Sequence, residues 1–376
     1  MKNKKNHREL LEEIYSEAQS MLKKGKGTPV IAGLNDDERQ LLESIASHSE
    51  TNKGVLTVLI TSLVHKIFDS KQDIRKHQSN MRGGYSGRTL DTRFITPFMQ
   101  ANNFPAMAES GWLTRSLEQN KPYDFKYPGQ ITPEELRKPF LTLLDNVQNQ
   151  SVKPRDYLLY LFQFLILLRD QHKIEISRSK HHAKFSVAQI IDLVKQHFYY
   201  DYHVGGAARL PVLAIYSAYE CMMGEVKRFE GKKLLPLEKH NSPDTRSGMP
   251  GDVVVANGES FFEAVEVKFG IDMTAQLVEY AYSKFRKYPI ERFYLLSTAG
   301  IDKNDGDKIK EIIGSVAKEH GCQIIVNGVI DTLKYYLRLL SNPELFVKNY
   351  AKNVLADQDL KSEHKAALKQ LLEAKS

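Results

Sequence analysis

Pro250-Gly251-Asp252-Val253-Val254-Val255-Ala256-Asn257-Gly258, continued by Phe261-Phe262-Glu263-Ala264-Val265-Glu266-Val267-Lys268, is the stretch on which the fold turns. Two apolar runs of strand length flank Asn257-Gly258, a pair of residues that marks a tight hairpin turn. Within Phe261–Lys268 side chains alternate, so Phe262, Ala264, Glu266 and Lys268 are expected on one face. Glu266 and Lys268 are then neighbours, roughly 7 Å apart at ~3.3 Å per residue. Asp252 opens the first strand, and pairing the strands brings it within reach of Glu266. Two carboxylates and an ammonium converge at one end of a hairpin.

Working outward, Pro211 to Phe229 reads as a helix that Gly231 stops, with a short strand at Leu234–Leu237 before the hairpin. After it, Thr274 caps a helix carrying Val278, Ala281, Tyr282 and Phe285 on one face and broken by Pro289. A strand at Phe293–Ser297, a helix through Ile309, Ile312, Ile313 and Val316, and a strand at Cys322–Val326 follow, with helices from Ile330. This order is α/β. The other half is helical. Leu11, Ile14, Tyr15, Ala18 and Leu22 keep helical spacing, Asn35 and Glu38 form a capping box, and Leu56, Leu59, Ile60, Leu63 and Ile67 make a stripe. Met81 to Pro128 reads as loop-rich, and helices resume at Pro154–Arg169 and Val187–His197. The expected division is a mainly helical region over residues 1–204 and an α/β core with C-terminal helices over 205–376.

The chain has 376 residues, enough for two to three domains at ~150 residues each. Two cysteines, Cys221 and Cys322, exclude a disulfide scaffold and a paired-CxxC zinc site. The basic start is followed by charged residues where a signal peptide has its apolar segment. The most apolar run, Tyr157–Leu168, is interrupted by Gln163 and falls short of the ~20 residues a membrane span needs. The expectation is a soluble, cytoplasmic protein with no membrane partner. Lys and Arg number 53 against 46 Asp and Glu, a net charge of +7 that suits a polyanionic partner such as nucleic acid.

Two acids and a lysine in this arrangement suit phosphodiester hydrolysis. Mg²⁺ takes oxygen ligands and keeps some waters, so Asp252, Glu266 and the Val267 carbonyl are a candidate set to hold it against a phosphate. Lys268 would then serve the attacking water and offset charge in the transition state. The plainer alternative is a solvated Glu–Lys pair on a half-exposed strand.

Asp252 followed by Glu266-Val267-Lys268, on a hairpin after a helix, resembles the PD-(D/E)xK nuclease superfamily, and within it the type II restriction endonucleases. Leu234-Leu-Pro-Leu-Glu-Lys-His-Asn-Ser-Pro-Asp-Thr-Arg-Ser-Gly is similar to the SacI-like group. The resemblance covers about Gly205 to Gly328. It implies a restriction-endonuclease-like core of mixed sheet and flanking helices, with DNA recognition by the helical region. It also implies Mg²⁺-dependent cleavage of double-stranded DNA at a short sequence, a homodimer, and a cognate DNA methyltransferase as functional partner. The first half-motif departs from the family, reading Pro-Gly-Asp, and Pro243-Asp244 makes Asp244 a competitor; Asp252 is preferred because it begins an apolar strand. The family often draws a further acid from the preceding helix, for which Glu225 is the choice and Glu220 the runner-up. Gln276 and Tyr280 share the Gln-xxx-Tyr spacing of the RecB-like exonuclease branch, so a recombination or repair nuclease without sequence preference is the alternative. A catalytically inactive DNA-binding module is the other.

Candidate DNA contacts are Arg88, with Arg82 and Arg93 around the glycine-rich Gly83–Gly87, and Lys239, His240 and Arg246 just before the first site strand. The glycine-rich segment lacks the Gly-Lys-Ser/Thr ending of a P-loop. The basic run Arg178–Lys184 is a solvated face or a phosphate contact, and Trp112 is a core residue or a base-stacking one.

Overall fold

The computed structural model describes residues 6–25, 27–29, 31, 33–149, 153–171, 185–237 and 249–374. The chain divides into two units, Met1–Lys173 and Ile174–Ser376. Among the described residues no helix is long and apolar enough to cross a membrane.

The first unit is helical: α1 (His7–Lys24), α2 (Asp36–Ser47), α3 (Lys53–Phe68), α4 (Gly87–Leu90), α5 (Thr96–Ala101), α6 (Glu134–Asn149) and α7 (Pro154–Asp170). The Asn35–Glu38 capping box opens α2 as expected, and the α1 face from Leu11 to Leu22 is buried. The α3 stripe is an underestimate, because every residue from Gly54 to Val64 is buried. Its hydroxyls tolerate this by bonding to their own helix: Thr57 Oγ1 donates to Lys53 O at 2.7 Å and Thr61 Oγ1 to Thr57 O at 2.8 Å. The Met81–Pro128 segment is more ordered than its glycines and prolines suggest. Gly87 to Ala101 is continuously helical, with a π-helical turn at Asp91–Ile95 between α4 and α5, and Pro97, which has no N–H to give the helix, follows directly on that turn. Gly87 is required by its neighbour, since a Cβ there would lie 2.5 Å from the Trp112 ring. Trp112 is a core residue, donating from Nε1 to His77 Nδ1 at 2.8 Å.

The second unit begins with α8 (Val187–Phe198) and α9 (Arg209–Glu225) and ends with α12 (Val329–Leu337), α13 (Glu344–Ala356) and α14 (Ser362–Glu373). The division therefore falls at Lys173 and not after residue 204. The reason is α8, whose buried His197 bonds to the Tyr350 hydroxyl on α13 and to His364 O on α14, both at 2.8 Å. Those partners lie more than 150 residues downstream.

Between these helices stands a five-stranded mixed sheet in the order β1 (Lys233–Leu234), β2 (Val253–Asn257), β3 (Ser260–Lys268), β4 (Arg292–Ser297), β5 (Gln323–Gly328). The first two pairings are antiparallel and the last two parallel. Helices α10 (Ala275–Phe285) and α11 (Gly306–Glu319) make the parallel crossovers. Thr274 caps α10, its hydroxyl accepting from Leu277 N. One sheet face, with Val253, Val255, Val265 and Val267, joins the core of α9 and the C-terminal helices. The other, with Val254, Ala264, Phe293 and Leu295, packs on Val278, Phe285 and Ile309. The fold is α/β, as expected.

Two details of the hairpin differ from expectation. Asn257 pairs with Ser260, so the turn is Gly258-Glu259, and Gly258 takes the positive φ of +61° that such a turn requires of its first residue. Val255 faces Glu263 while Ala256 faces Phe261, which leaves Phe262 as an extra residue, a β-bulge. The bulge resets the alternation: Phe262 packs on the α9 side with Val265 and Val267, whereas Ala264, Glu266 and Lys268 keep the opposite face.

Candidate active site

The site is built where β2 begins and β3 ends. One step beyond the Val253–Val265 pair, Asp252 stands across from Glu266. Its Oδ2 accepts the Val267 N–H at 2.8 Å, taking the place of a ladder bond. The N–H and C=O of one strand residue point the same way, so the Val267 carbonyl also faces Asp252. Gly251 explains the departure from Pro-Asp: a Cβ there would lie 2.8 Å from Val265 O, and only glycine lets β2 enter this close to β3.

Glu266 is 7% exposed and holds two lysines. Lys268 Nζ donates to its Oε1 at 2.6 Å, and Lys284 Nζ lies 3.4 Å from the same oxygen. Lys284 comes from the last turn of α10, and its ammonium also sits 4.9 Å from the centre of the Tyr280 ring. Burial, and then the charge of Glu266, push the Asp252 carboxyl up to about 7; the Val267 N–H, Lys268 and Arg209 pull the other way. The two acids thus repel with incomplete compensation, a state a divalent cation relieves.

Asp252, Glu266, Val267 and Lys268 are brought together. Glu225 is not. It lies at the far end of α9 from Arg209, roughly 24 Å along the axis at 1.5 Å per residue, and its Oε2 accepts from Ser341 N at 2.6 Å. Glu220 is likewise engaged elsewhere, accepting from Asn353 Nδ2 at 2.7 Å on α13. The element expected to give the site a further acid instead gives it a base: Arg209 starts α9 close enough for its charge to act on Asp252, and its Nε bonds Asp357 Oδ2 at 3.0 Å. Sequence reasoning missed both Arg209 and Lys284. Only the i, i+4, i+8 spacing of Gln276, Tyr280 and Lys284 hinted at the second.

Among the described residues no group of three or more His, Cys, Asp and Glu side chains gathers around one point. The donor set is two carboxylates and a carbonyl. That set fits Mg²⁺, which is commonly held by one or two carboxylates together with water and substrate phosphate. Asp244, Lys239, His240 and Arg246 lie outside the described residues, as does the basic run Arg178–Lys184. Arg88 is exposed on α4 of the first unit, with Arg82 and Arg93 exposed near it in sequence. No protein-family model matches this chain, and no curated protein matches it in sequence.

Proposed function

We propose that this protein is a Mg²⁺-dependent nuclease of the PD-(D/E)xK type, cleaving phosphodiester bonds in double-stranded DNA at a short specific sequence as a type II restriction endonuclease does. The observation that carries this reading is the placement of Asp252 across from Glu266 with Lys268 bonded to that carboxylate. Asp252, Glu266 and the Val267 carbonyl would hold the ion, which supplies Lewis acidity toward a phosphate oxygen and lowers the pKa of water. Lys268 orients the attacking water and offsets the negative charge that develops on the phosphate. The net charge of +7 favours a phosphate backbone over a neutral substrate. A homodimer, with a methyltransferase protecting the host site, completes the proposal. Its test is digestion of unmethylated plasmid with Mg²⁺ and sequencing of the ends. Discrete ends at one short sequence support it; metal-independent binding without cleavage points to an inactive DNA-binding module.

One observation favours a second reading, a repair or recombination nuclease without sequence preference. Gln276, Tyr280 and Lys284 share one face of α10, and Lys284 turns that face toward Glu266. A smear in place of bands in the same digestion supports this alternative.

A further inference from the structure

Both ammonium groups of the site fall on one oxygen. Lys268 and Lys284 both meet Glu266 Oε1, at 2.6 and 3.4 Å, from different elements. Lys268 stands two residues away on the same strand, whereas Lys284 arrives from the C-terminal turn of the crossover helix. A cation is favoured there by the helix dipole, and Lys284 is held besides by the Tyr280 ring at 4.9 Å. Its side chain is 19% exposed, against 25% for Lys268. Lys284 is thus placed by a helix end and a ring as well as by Glu266, while Lys268 makes the shorter bond. In the metal-free site, if Lys268 alone balanced Glu266, each departure of Lys268 would uncover a nearly buried carboxylate, which is costly.

We propose that Lys284 is a positioning residue: it is the standing counter-charge of Glu266, and it frees Lys268 to act on the substrate. This inference rests on the nuclease reading for its consequence and on geometry for its premise. It assigns the two lysines opposite burdens. Lys268 touches the reacting groups, and Lys284 acts through Glu266. It also predicts a signature that a packing role would not produce. An ammonium 3.4 Å from Glu266 repels a cation approaching the same carboxylate, so deleting it should tighten metal binding while slowing the reaction.

The test uses the full chain and Mn²⁺ alone, measured by calorimetry on metal-free protein, alongside DNA cleavage. Lys284→Met should bind Mn²⁺ roughly threefold or more tightly. Its kcat should fall about tenfold with KM for DNA unchanged, the pattern of a lost transition-state contribution. Lys284→Arg, which restores the charge, should recover both values. Lys284→Gln serves as a second variant should Lys284→Met not fold. Unchanged Mn²⁺ affinity together with the parental cleavage rate in a folded Lys284 variant overturns the inference, and so does weaker Mn²⁺ binding. The nuclease reading fails separately: parental protein that binds Mn²⁺ through Asp252 and Glu266 but cuts no DNA discards the reading, while the metal titration still decides the role of Lys284. Absence of any Mn²⁺ binding by the parental protein overturns both.

Discussion

Glu263 and Glu266 stand three residues apart on β3, are 1% and 7% exposed, and have opposite fates. The regular alternation of the strand beyond the bulge at Phe262 sends them to opposite sides of the sheet. Glu263 points toward α9, where its Oε1 accepts the Tyr219 hydroxyl at 2.6 Å and its Oε2 pairs with Arg228. The Arg228 guanidinium lies 4.5 Å from the centre of the Phe262 ring, so the bulged residue itself closes over the pair. Burial pushes the Tyr219 phenol far above its ordinary range, which keeps it a donor. Glu266 faces the other way, toward two lysines and a second carboxylate. Burial alone therefore does not distinguish the proposed metal ligand from a structural acid. What separates them is charge balance: Glu263 is matched by a guanidinium and a hydroxyl in a closed apolar setting, while Glu266 shares its surroundings with Asp252, whose carboxyl is pushed upward.

The contrast breaks most sharply under substitution. Glu263→Ala leaves Arg228 without its buried partner and should cost ~3–5 kcal/mol of stability, read as an earlier denaturant midpoint; whatever protein stays folded should cut DNA at the parental rate. A Glu263→Ala protein of parental stability would mean that Glu263 does not lock β3 to Tyr219 of α9 and to Arg228 just after it. Lys268→Ala reverses the pattern. Cleavage should fall ~10²-fold or more with the unfolding midpoint nearly unchanged, and Lys268→Met should behave alike because it keeps the stem and loses only the charge. Parental cleavage by folded Lys268→Ala would reduce the site to a surface ion pair.

Acidity sharpens the comparison at a smaller scale. The folded-state pKa of Asp252 is raised, so its contribution to stability is fully present below the unfolded value near 4 and is lost as pH rises through about 7. Metal-free protein should lose this contribution over that window, and Asp252→Asn should abolish the dependence. Because the cation needs the ionised acid, Mn²⁺ affinity should be about fivefold weaker at pH 6 than at pH 7. A flat affinity over that range would remove Asp252 from the ligand set. The smallest effect belongs to Glu225→Gln. Exposed at the far end of α9, it should leave cleavage within about twofold and stability within ~0.5 kcal/mol. A collapse of cleavage in that variant would return Glu225 to the site and move the reacting centre away from the junction of β2 and β3.

What the sequence determined by itself is local. The strand-length apolar runs, the caps at Asn35 and Thr274, the break at Pro289, and the Asp252, Glu266 and Lys268 constellation are all carried by spacing of a few residues, whereas the helix expected to run to Gly231 already ends at Glu225. Such signals survive because alternation and helical periodicity act between near neighbours. The tertiary structure decided the rest. The bulge at Phe262 depends on how two strands register, not on either strand alone, and it placed Phe262 on the α9 side, against the alternation that holds from Glu263 onward. Glu225 and Arg209 occupy the two ends of one helix, and only the packing of that helix on the sheet could say which end meets Asp252. Lys284 reaches Glu266 from eighteen residues away through a crossover, and α8 joins the second unit through partners on α13 and α14 that lie more than 150 residues downstream. Contacts of that range leave no periodicity in the chain, because chain closure and packing bring the residues together after the local rules have done their part.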